Sequence, residues 1–275
     1  MSSINNCEKS LLKWIGGKKK LLNHIINKIP VEMDNYHEIF LGGGTVLLAL
    51  LSLKEEKKII IKNKLYAYDI NKELINVYKN IQDNKDELFK YIEFYKKEYG
   101  AINSLKGIQK PSTIEEAKTS KESYYYWLRN KYNTMESSVE RSALFIILNK
   151  TWFRGMYREG PNGFNVPFGH YKKTPSIITK TRLDNISYLM KDVVFIHSDF
   201  KTSFVNYSKN GFNEENHEEL FKICNEAKYK FLLSNSNSDV VLEKLKKFYI
   251  QDIEVKREIN SKNPAMKAKE ILIYN

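Results

Sequence analysis

The chain has 275 residues, of which 42% are hydrophobic and 28% are charged, and its formal net charge is +12. It has no run of about 20 apolar residues that could span a membrane and no signal-peptide core, and its two cysteines are too few for a disulfide framework or a cysteine zinc site. We therefore expect an intracellular protein without a bound metal, and the excess of positive charge suits a polyanionic partner.

The first 85 residues have the pattern that opens a doubly wound α/β domain. A strand predicted over residues 36–40 runs into the glycines at 42–44, and an apolar helix follows over residues 46–53. A second strand, residues 65–68, ends in Asp69 just before another helix. Strand, glycine-rich turn, helix and a strand that ends in an acid together predict this fold class.

The rest of the chain divides into a helical part, a loop and a part with further strands. Residues 84–150 are predicted to be mostly helical, and glycine and proline punctuate residues 151–172, which predicts a hairpin or an extended loop. Further strands are predicted near residues 193–197, 231–235, 250–255 and 270–274.

The glycine turn and Asp69 are candidates for ligand binding. Glycines let the backbone approach a ligand closely, and the following helix N-terminus favours polar or anionic groups. Their spacing is not that of a dinucleotide fingerprint, so an ordinary tight turn remains an alternative. Asp69 could accept hydrogen bonds from ribose hydroxyls, or either Asp69 or Asn71 could cap the following helix.

Residues 12–18, Leu-Lys-Trp-Ile-Gly-Gly-Lys, are unusual as the start of a helix. Trp14 could cover an apolar or cationic group of a ligand, and Lys18 could reach a carboxylate. The alternative is a packed tryptophan among solvated lysines.

Five segments of the chain, in order, resemble the motifs of Dam-type DNA adenine-N6 methyltransferases. The first three correspond to that family's S-adenosylmethionine (SAM) segments, the fourth to its target-recognition segment, and the fifth to its late strand and the loop after it. These segments are residues 13–18, 38–45 and 68–78, then residues 149–158 with 164–171, and finally residues 233–236 with 257–261.

The resemblance implies a Rossmann-like SAM-binding domain, residues 1–85 and 176–275, with a mostly helical recognition insert, residues 86–175. It implies site-specific methylation of adenine N6 in double-stranded DNA, as in restriction-modification, with SAM as the cofactor. The implied cofactor contacts are Trp14, Lys18, Phe40, Gly42, Gly43, Gly44, Asp69 and Ile70. The implied DNA contacts are Arg154, Tyr157, Arg158, Asn165 and Lys172.

The chain departs from this family at the catalytic motif. Its six prolines are never adjacent, so Asp-Pro-Pro-Tyr and its Asn and Ser versions are absent. Residues 198–200 match the segment before the motif and residues 203–212 the segment after it, with only Lys201 and Thr202 between. The gap would also remove a central strand, which would open the sheet or draw residues 193–197 into its place and expose an edge.

Two substitutes for the missing motif can be considered. One is Asn165-Val166-Pro167-Phe168, which loosely resembles an Asn-Pro-Pro-Phe motif, and the other pairs the acid Asp199 with the ring of Phe200. A flipped adenine needs hydrogen-bond acceptors for its amino group together with a stacking surface. The catalytic residues therefore stay unassigned. A SAM- or DNA-binding protein without activity, or a subunit that needs a partner for catalysis, remains an alternative.

Overall fold

The computed structural model describes residues 6–171, 173, 175–200, 214–256 and 267–275. The helices are α1 (Leu22–Ile26), α2 (Thr45–Glu55), α3 (Lys72–Asp83), α4 (Lys85–Ala101), α5 (Ile114–Ala117), α6 (Lys121–Thr134), α7 (Val139–Thr151), α8 (Lys180–Leu189), α9 (Glu214–Glu226) and α10 (Asp239–Lys244). The strands are β1 (Glu32–Met33), β2 (Tyr36–Glu38), β3 (Ile60–Ile61), β4 (Leu65–Asp69), β5 (Glu159–Gly160), β6 (Gly163–Phe164), β7 (Val193–His197), β8 (Leu232–Ser236), β9 (Tyr249–Lys256) and β10 (Lys267–Tyr274). No helix in these ranges is long and apolar enough to cross a bilayer.

A parallel sheet in the order β2-β4-β7 carries the glycine turn. The register pairs Glu38 with Ala67 and Asp69 with His197, so Asp69 lies at the carboxyl end of the central strand. The carboxyl ends of parallel strands are where α/β folds bind their ligands. The three strands predicted for this part of the chain are thereby confirmed, and β2 is shorter than expected.

A second sheet has the order β8-β10-β9, with β10 antiparallel to both neighbours. Within the described residues no strand joins the two sheets, so β2 and β8 are each paired on one side. This agrees with the expectation that a missing central strand opens the sheet. The alternative, that residues 193–197 take its place, is wrong because β7 pairs with β4 and not with β2. The junction at Lys201 and Thr202 lies outside the described residues.

Helix α3 packs on β4 and β7 of the first sheet, helices α4 and α7 pack on α3, and α6 packs on α7 and contacts β6 of the β5–β6 hairpin. Helix α7 is buried over residues 142–151 because it lies between α3, α4 and α6. Its residue Phe145 and the hairpin residue Phe164 belong to the same buried cluster as Leu47 of α2 and Val77 of α3. One continuous core therefore connects the glycine turn with the predicted recognition segment.

A separate core supports the second sheet. It contains Phe221 and Cys224 of α9, Leu245, and Ile271 and Ile273 of β10. A third, smaller cluster contains Leu21 and Ile25 together with Ile253 of β9 and Leu272 of β10, and Val46 of α2 packs against it, so the second sheet also contacts the helices beside the glycine turn.

Candidate functional site

The glycine turn adopts a backbone that side chains could not accept. Gly42 has φ +49° and Gly44 has φ +68°, in the left-handed region that favours glycine. A Cβ on Gly42 would lie 2.9 Å from Cδ1 of Trp14, and one on Gly44 would lie 2.6 Å from the Tyr78 hydroxyl. Glycine is thus required both by conformation and by the close approach of two aromatic side chains.

Asp69 braces this turn from the neighbouring strand. Its Oδ2 accepts a hydrogen bond from the Gly42 N–H at 2.9 Å, and its Oδ1 accepts one from the Asn71 N–H at 2.9 Å. Asn71, not Asp69, is the N-cap of α3, because its side chain accepts from the Leu74 N–H. Burial raises the pKa of the Asp69 carboxyl, and the N–H donors of Asn71 and Gly42 oppose that rise.

Trp14 lies between the glycine turn and the predicted recognition segment. One part of its ring approaches Gly42, while its rings stack on Tyr157 at 5.7 Å and on Phe145 at 6.4 Å between centroids. The Ser10 hydroxyl lies 2.6 Å from the carbonyl oxygens of both Leu12 and Gly43, which ties the Trp14 segment to the turn. The tryptophan is therefore held in a fixed position.

Large apolar side chains remain exposed next to these residues. Ile15 is 51% exposed, Phe40 is 50% exposed and Ile70 is 54% exposed, although Phe40 also contacts the ring of Phe200 at 5.6 Å. Ile15 follows Trp14, Ile70 follows Asp69, and Phe40 lies two residues before Gly42. Such apolar surface beside polar main-chain groups is typical of a small-molecule site. Lys18, also predicted here, is partly exposed at the start of the 3-10 turn Lys18–Lys20.

Glu38 belongs to this region and was not singled out in the sequence. Its Oε2 accepts a hydrogen bond from the Tyr36 hydroxyl at 3.0 Å. Burial raises the pKa of Glu38 to about 8, the Tyr36 hydrogen bond opposes this rise, and the charge of Asp69 adds to it. The available signal was an acid at the last position of a strand, directly before a glycine turn.

The predicted DNA contacts lie on and around the β5–β6 hairpin. Arg154 is exposed, has φ +52°, and holds its guanidinium 5.0 Å from the centre of the Phe153 ring. Arg158 is exposed, and its Nε donates to Oδ1 of Asn165 at 2.7 Å. Arg158 and Asn165 are thus paired across the hairpin, whereas Lys172 lies outside the described residues.

Tyr157 has a different placement from the two arginines. Its ring stacks on Trp14, its hydroxyl donates to Oε1 of Glu159 at 2.5 Å, and burial raises its pKa. Its ring also contacts Phe145, Trp152 and Phe164, and its role as a DNA contact stays a prediction.

Neither substitute for the catalytic motif presents a ring to a base. Phe168 is 2% exposed, and the Val166 carbonyl beside it accepts hydrogen bonds from the Tyr125 hydroxyl and from Arg129. Phe200 is 5% exposed and packs in the core of the second sheet. Both rings are used for packing, so they cannot stack on a flipped adenine without rearrangement.

Comparison with known proteins places this geometry in a family. Residues 14–207 match the D12 class of N6 adenine-specific DNA methyltransferases. The type II methyltransferase M.MjaIII of Methanocaldococcus jannaschii is 32% identical over 97% of this chain and 99% of its own length. The type II methyltransferase M1.LlaDCHI of Lactococcus lactis is 30% identical over 96% and 94%, and the DNA adenine methylase of Escherichia coli is 24% identical over 96% and 94%.

The alignment with the archaeal relative runs over 306 residues, more than the 275 residues of this chain. That relative therefore carries residues that have no counterpart here. This agrees with the loss of a segment that the sequence motifs indicate.

Proposed function

This chain belongs to the D12 class of N6 adenine-specific DNA methyltransferases, and we propose that it binds SAM at its glycine turn and acts on adenine N6 in double-stranded DNA. The observation that carries this proposal is the packing of Trp14 against Gly42, with Asp69 bonded to the Gly42 N–H. The family model and two relatives named as type II methyltransferases support the same function.

The residues of the turn fit this cofactor. The glycines leave the backbone of the turn without side chains, so a ligand could approach its main-chain groups closely. Ile15, Phe40 and Ile70 offer apolar surface for the base, and we propose that Asp69 contacts the ribose. SAM, when bound, supplies the electrophilic methyl group. The protein's part is to orient the cofactor and to exclude water from it. We assign the parallel sheet to a Rossmann-like methyltransferase domain on this basis.

We propose that the β5–β6 hairpin, within an insert over residues 86–175, contacts the DNA. Arg154 and Arg158 are both exposed, and their guanidinium groups can donate to guanine edges or phosphates. Asn165 orients Arg158 through its Oδ1, so this pair would enter the DNA together. The net charge of +12 favours association with duplex DNA in general.

A second function is favoured by one observation, the absence of Asp-Pro-Pro-Tyr from the whole sequence. Without its acceptors and its stacking ring, the chain would bind SAM and DNA but would not hold the flipped adenine by itself. Catalysis would then require these groups from a partner.

Calorimetric titration with SAM, together with transfer of labelled methyl groups to duplex DNA of mixed sequence, separates these functions. We expect SAM to bind the wild-type chain and Phe94→Ala, which alters an exposed ring on α4, but to bind Trp14→Ala at least about ten-fold more weakly. Transfer above a protein-free control supports the enzyme, and binding without transfer supports the second function. Absence of SAM binding by the wild-type chain contradicts both.

A further inference from the structure

Asn149 of α7 makes a pair of hydrogen bonds to residues 12–18, the segment around Trp14 that we call the cofactor segment. Its Oδ1 accepts from the Lys13 N–H at 2.8 Å, and its Nδ2 donates to the Lys13 carbonyl at 2.8 Å. The side chain is fully buried, with 0% exposure. One amide thus occupies both main-chain groups of the residue directly before Trp14, as a neighbouring strand would.

Asn133 holds the recognition hairpin to α6 in the same way. Its Oδ1 accepts from the Phe164 N–H at 3.0 Å, and its Nδ2 donates to the Phe164 carbonyl at 2.9 Å. Phe164 is the last residue of β6, one residue before Asn165. The two asparagines therefore apply one geometry to two different segments.

The cofactor segment and the hairpin, which these two asparagines bind, are joined by close packing. The Tyr132 ring of α6 contacts Phe145 of α7 at 6.2 Å and Phe164 at 5.9 Å. From the other side, Tyr157 stacks on Trp14 and contacts Phe164 at 5.4 Å. Close-packed interiors move between discrete arrangements more readily than they deform continuously. A shift of the hairpin would therefore also change the position of the Trp14 side chain.

Two contacts of Lys13 bring the loop after α7 into this unit. A Cβ on Gly155 would lie 3.1 Å from the Lys13 Cβ, so Lys13 packs against the backbone beside Arg154. The Lys13 ammonium lies 4.0 Å from the centre of the Tyr171 ring, and the Tyr171 hydroxyl donates to the Trp152 carbonyl at 2.8 Å. The cofactor segment thus touches both ends of the recognition segment.

We propose that Asn149 and Asn133 are positioning residues that couple the two binding events, so that duplex DNA on the hairpin tightens SAM binding at Trp14. The proposal rests on the proposed function, because it requires both ligands to bind. Coupling of this kind is reciprocal, so SAM tightens DNA binding by the same factor. Asn149 sets the SAM end of the coupling and Asn133 sets the DNA end.

The test measures the SAM dissociation constant by calorimetry without DNA and with saturating sheared duplex DNA of mixed sequence. For the wild-type chain we expect DNA to lower this constant at least about five-fold, the lower end of usual allosteric coupling. Asn149→Ala should weaken SAM binding without DNA and bring the ratio close to one. Asn133→Ala, the matched loss of two equivalent hydrogen bonds, should weaken DNA binding and also bring the ratio close to one.

The outcomes separate the coupling from the function on which it rests. A wild-type ratio of one, with both ligands bound, overturns the coupling and leaves the proposed function standing. A ratio that survives in Asn149→Ala overturns the role of that residue. If Asn149→Ala does not fold by circular dichroism, Asn149→Asp keeps the acceptor for the Lys13 N–H, loses the donor above its pKa, and should lower the ratio. No SAM binding by the folded wild-type chain overturns the proposed function itself.

Discussion

Replacing Glu38 with glutamine should stabilise the protein in a pH-dependent way. Burial raises the pKa of Glu38 to about 8 from the ordinary value of 4.5. Between these pH values the folded chain keeps a proton that the unfolded chain releases, so the stability of the wild-type protein falls as the pH rises. Glutamine keeps a similar shape but carries no proton to release, so Glu38→Gln lacks this loss.

The size of the effect follows from the pKa difference. At pH 7, about 2.5 pH units above the ordinary pKa, the folded chain still keeps the proton that the unfolded chain has released. At 1.36 kcal/mol per unit, this lowers the free energy of unfolding of the wild-type protein by about 3 kcal/mol. Glu38 keeps part of its surface in contact with solvent, which screens the charge, so we expect about 2 kcal/mol. Near pH 4.5 the two proteins should differ little, because wild-type Glu38 is then neutral in the folded chain and still half protonated in the unfolded chain.

Urea unfolding at pH 4.5, 6, 7 and 8 measures this difference. Glu136→Gln, which alters an exposed carboxyl between α6 and α7, serves as the control and should follow the wild-type curve. A free-energy difference between Glu38→Gln and wild type that does not change with pH would refute the argument from burial of the charge.

Three further variants test other parts of the structure. Gly42→Ala should weaken SAM binding at least about ten-fold, because its Cβ would meet Trp14 at 2.9 Å, whereas Gly100→Ala has nothing within 4 Å and should bind normally in calorimetry. Burial lowers the pKa of Lys150 from 10.5 to about 8, so between these pH values the unfolded chain binds more protons than the folded chain. Wild type should therefore gain stability relative to Lys150→Met as the pH rises from 8 to 10.5 in urea titrations. A stability difference between the two proteins that does not change with pH would exclude this. Arg158→Ala should weaken duplex binding in filter assays and, if the contact is to phosphate, lower the slope of affinity against salt by about one, whereas unchanged binding would remove Arg158 from the interface.

Local features of the site were predictable from the sequence. The glycine turn and Asp69 lie within about 30 residues of each other on a strand-turn-helix-strand unit, and their geometry follows from that unit. The hairpin was also predictable, because glycine and proline punctuate residues 151–172. Hydrophobic periodicity reports which face of an element is buried, and this was enough to place these elements in order.

Long-range partners were not predictable from one sequence. Asn149 accepts a hydrogen bond from Lys13, 136 positions earlier in the chain. A single asparagine in a buried helix does not indicate its hydrogen-bond partner. The stacking of Tyr157 on Trp14 likewise joins residues far apart in the sequence, and its role as a DNA contact stays a prediction. The described part of the chain has no strand that joins the two sheets, which was expected from an absent segment and did not depend on a long-range contact.

The two largest apolar clusters, one beside each sheet, have a consequence for how cooperatively the protein unfolds. Each core contains one buried, free cysteine, Cys7 in the core of the first sheet and Cys224 in that of the second. Regions stabilised by different clusters can open independently, with different free energies. The rates at which the two thiols react with an alkylating reagent in dilute denaturant would therefore report the opening of each core separately, and equal rates would mean that the protein unfolds as one unit.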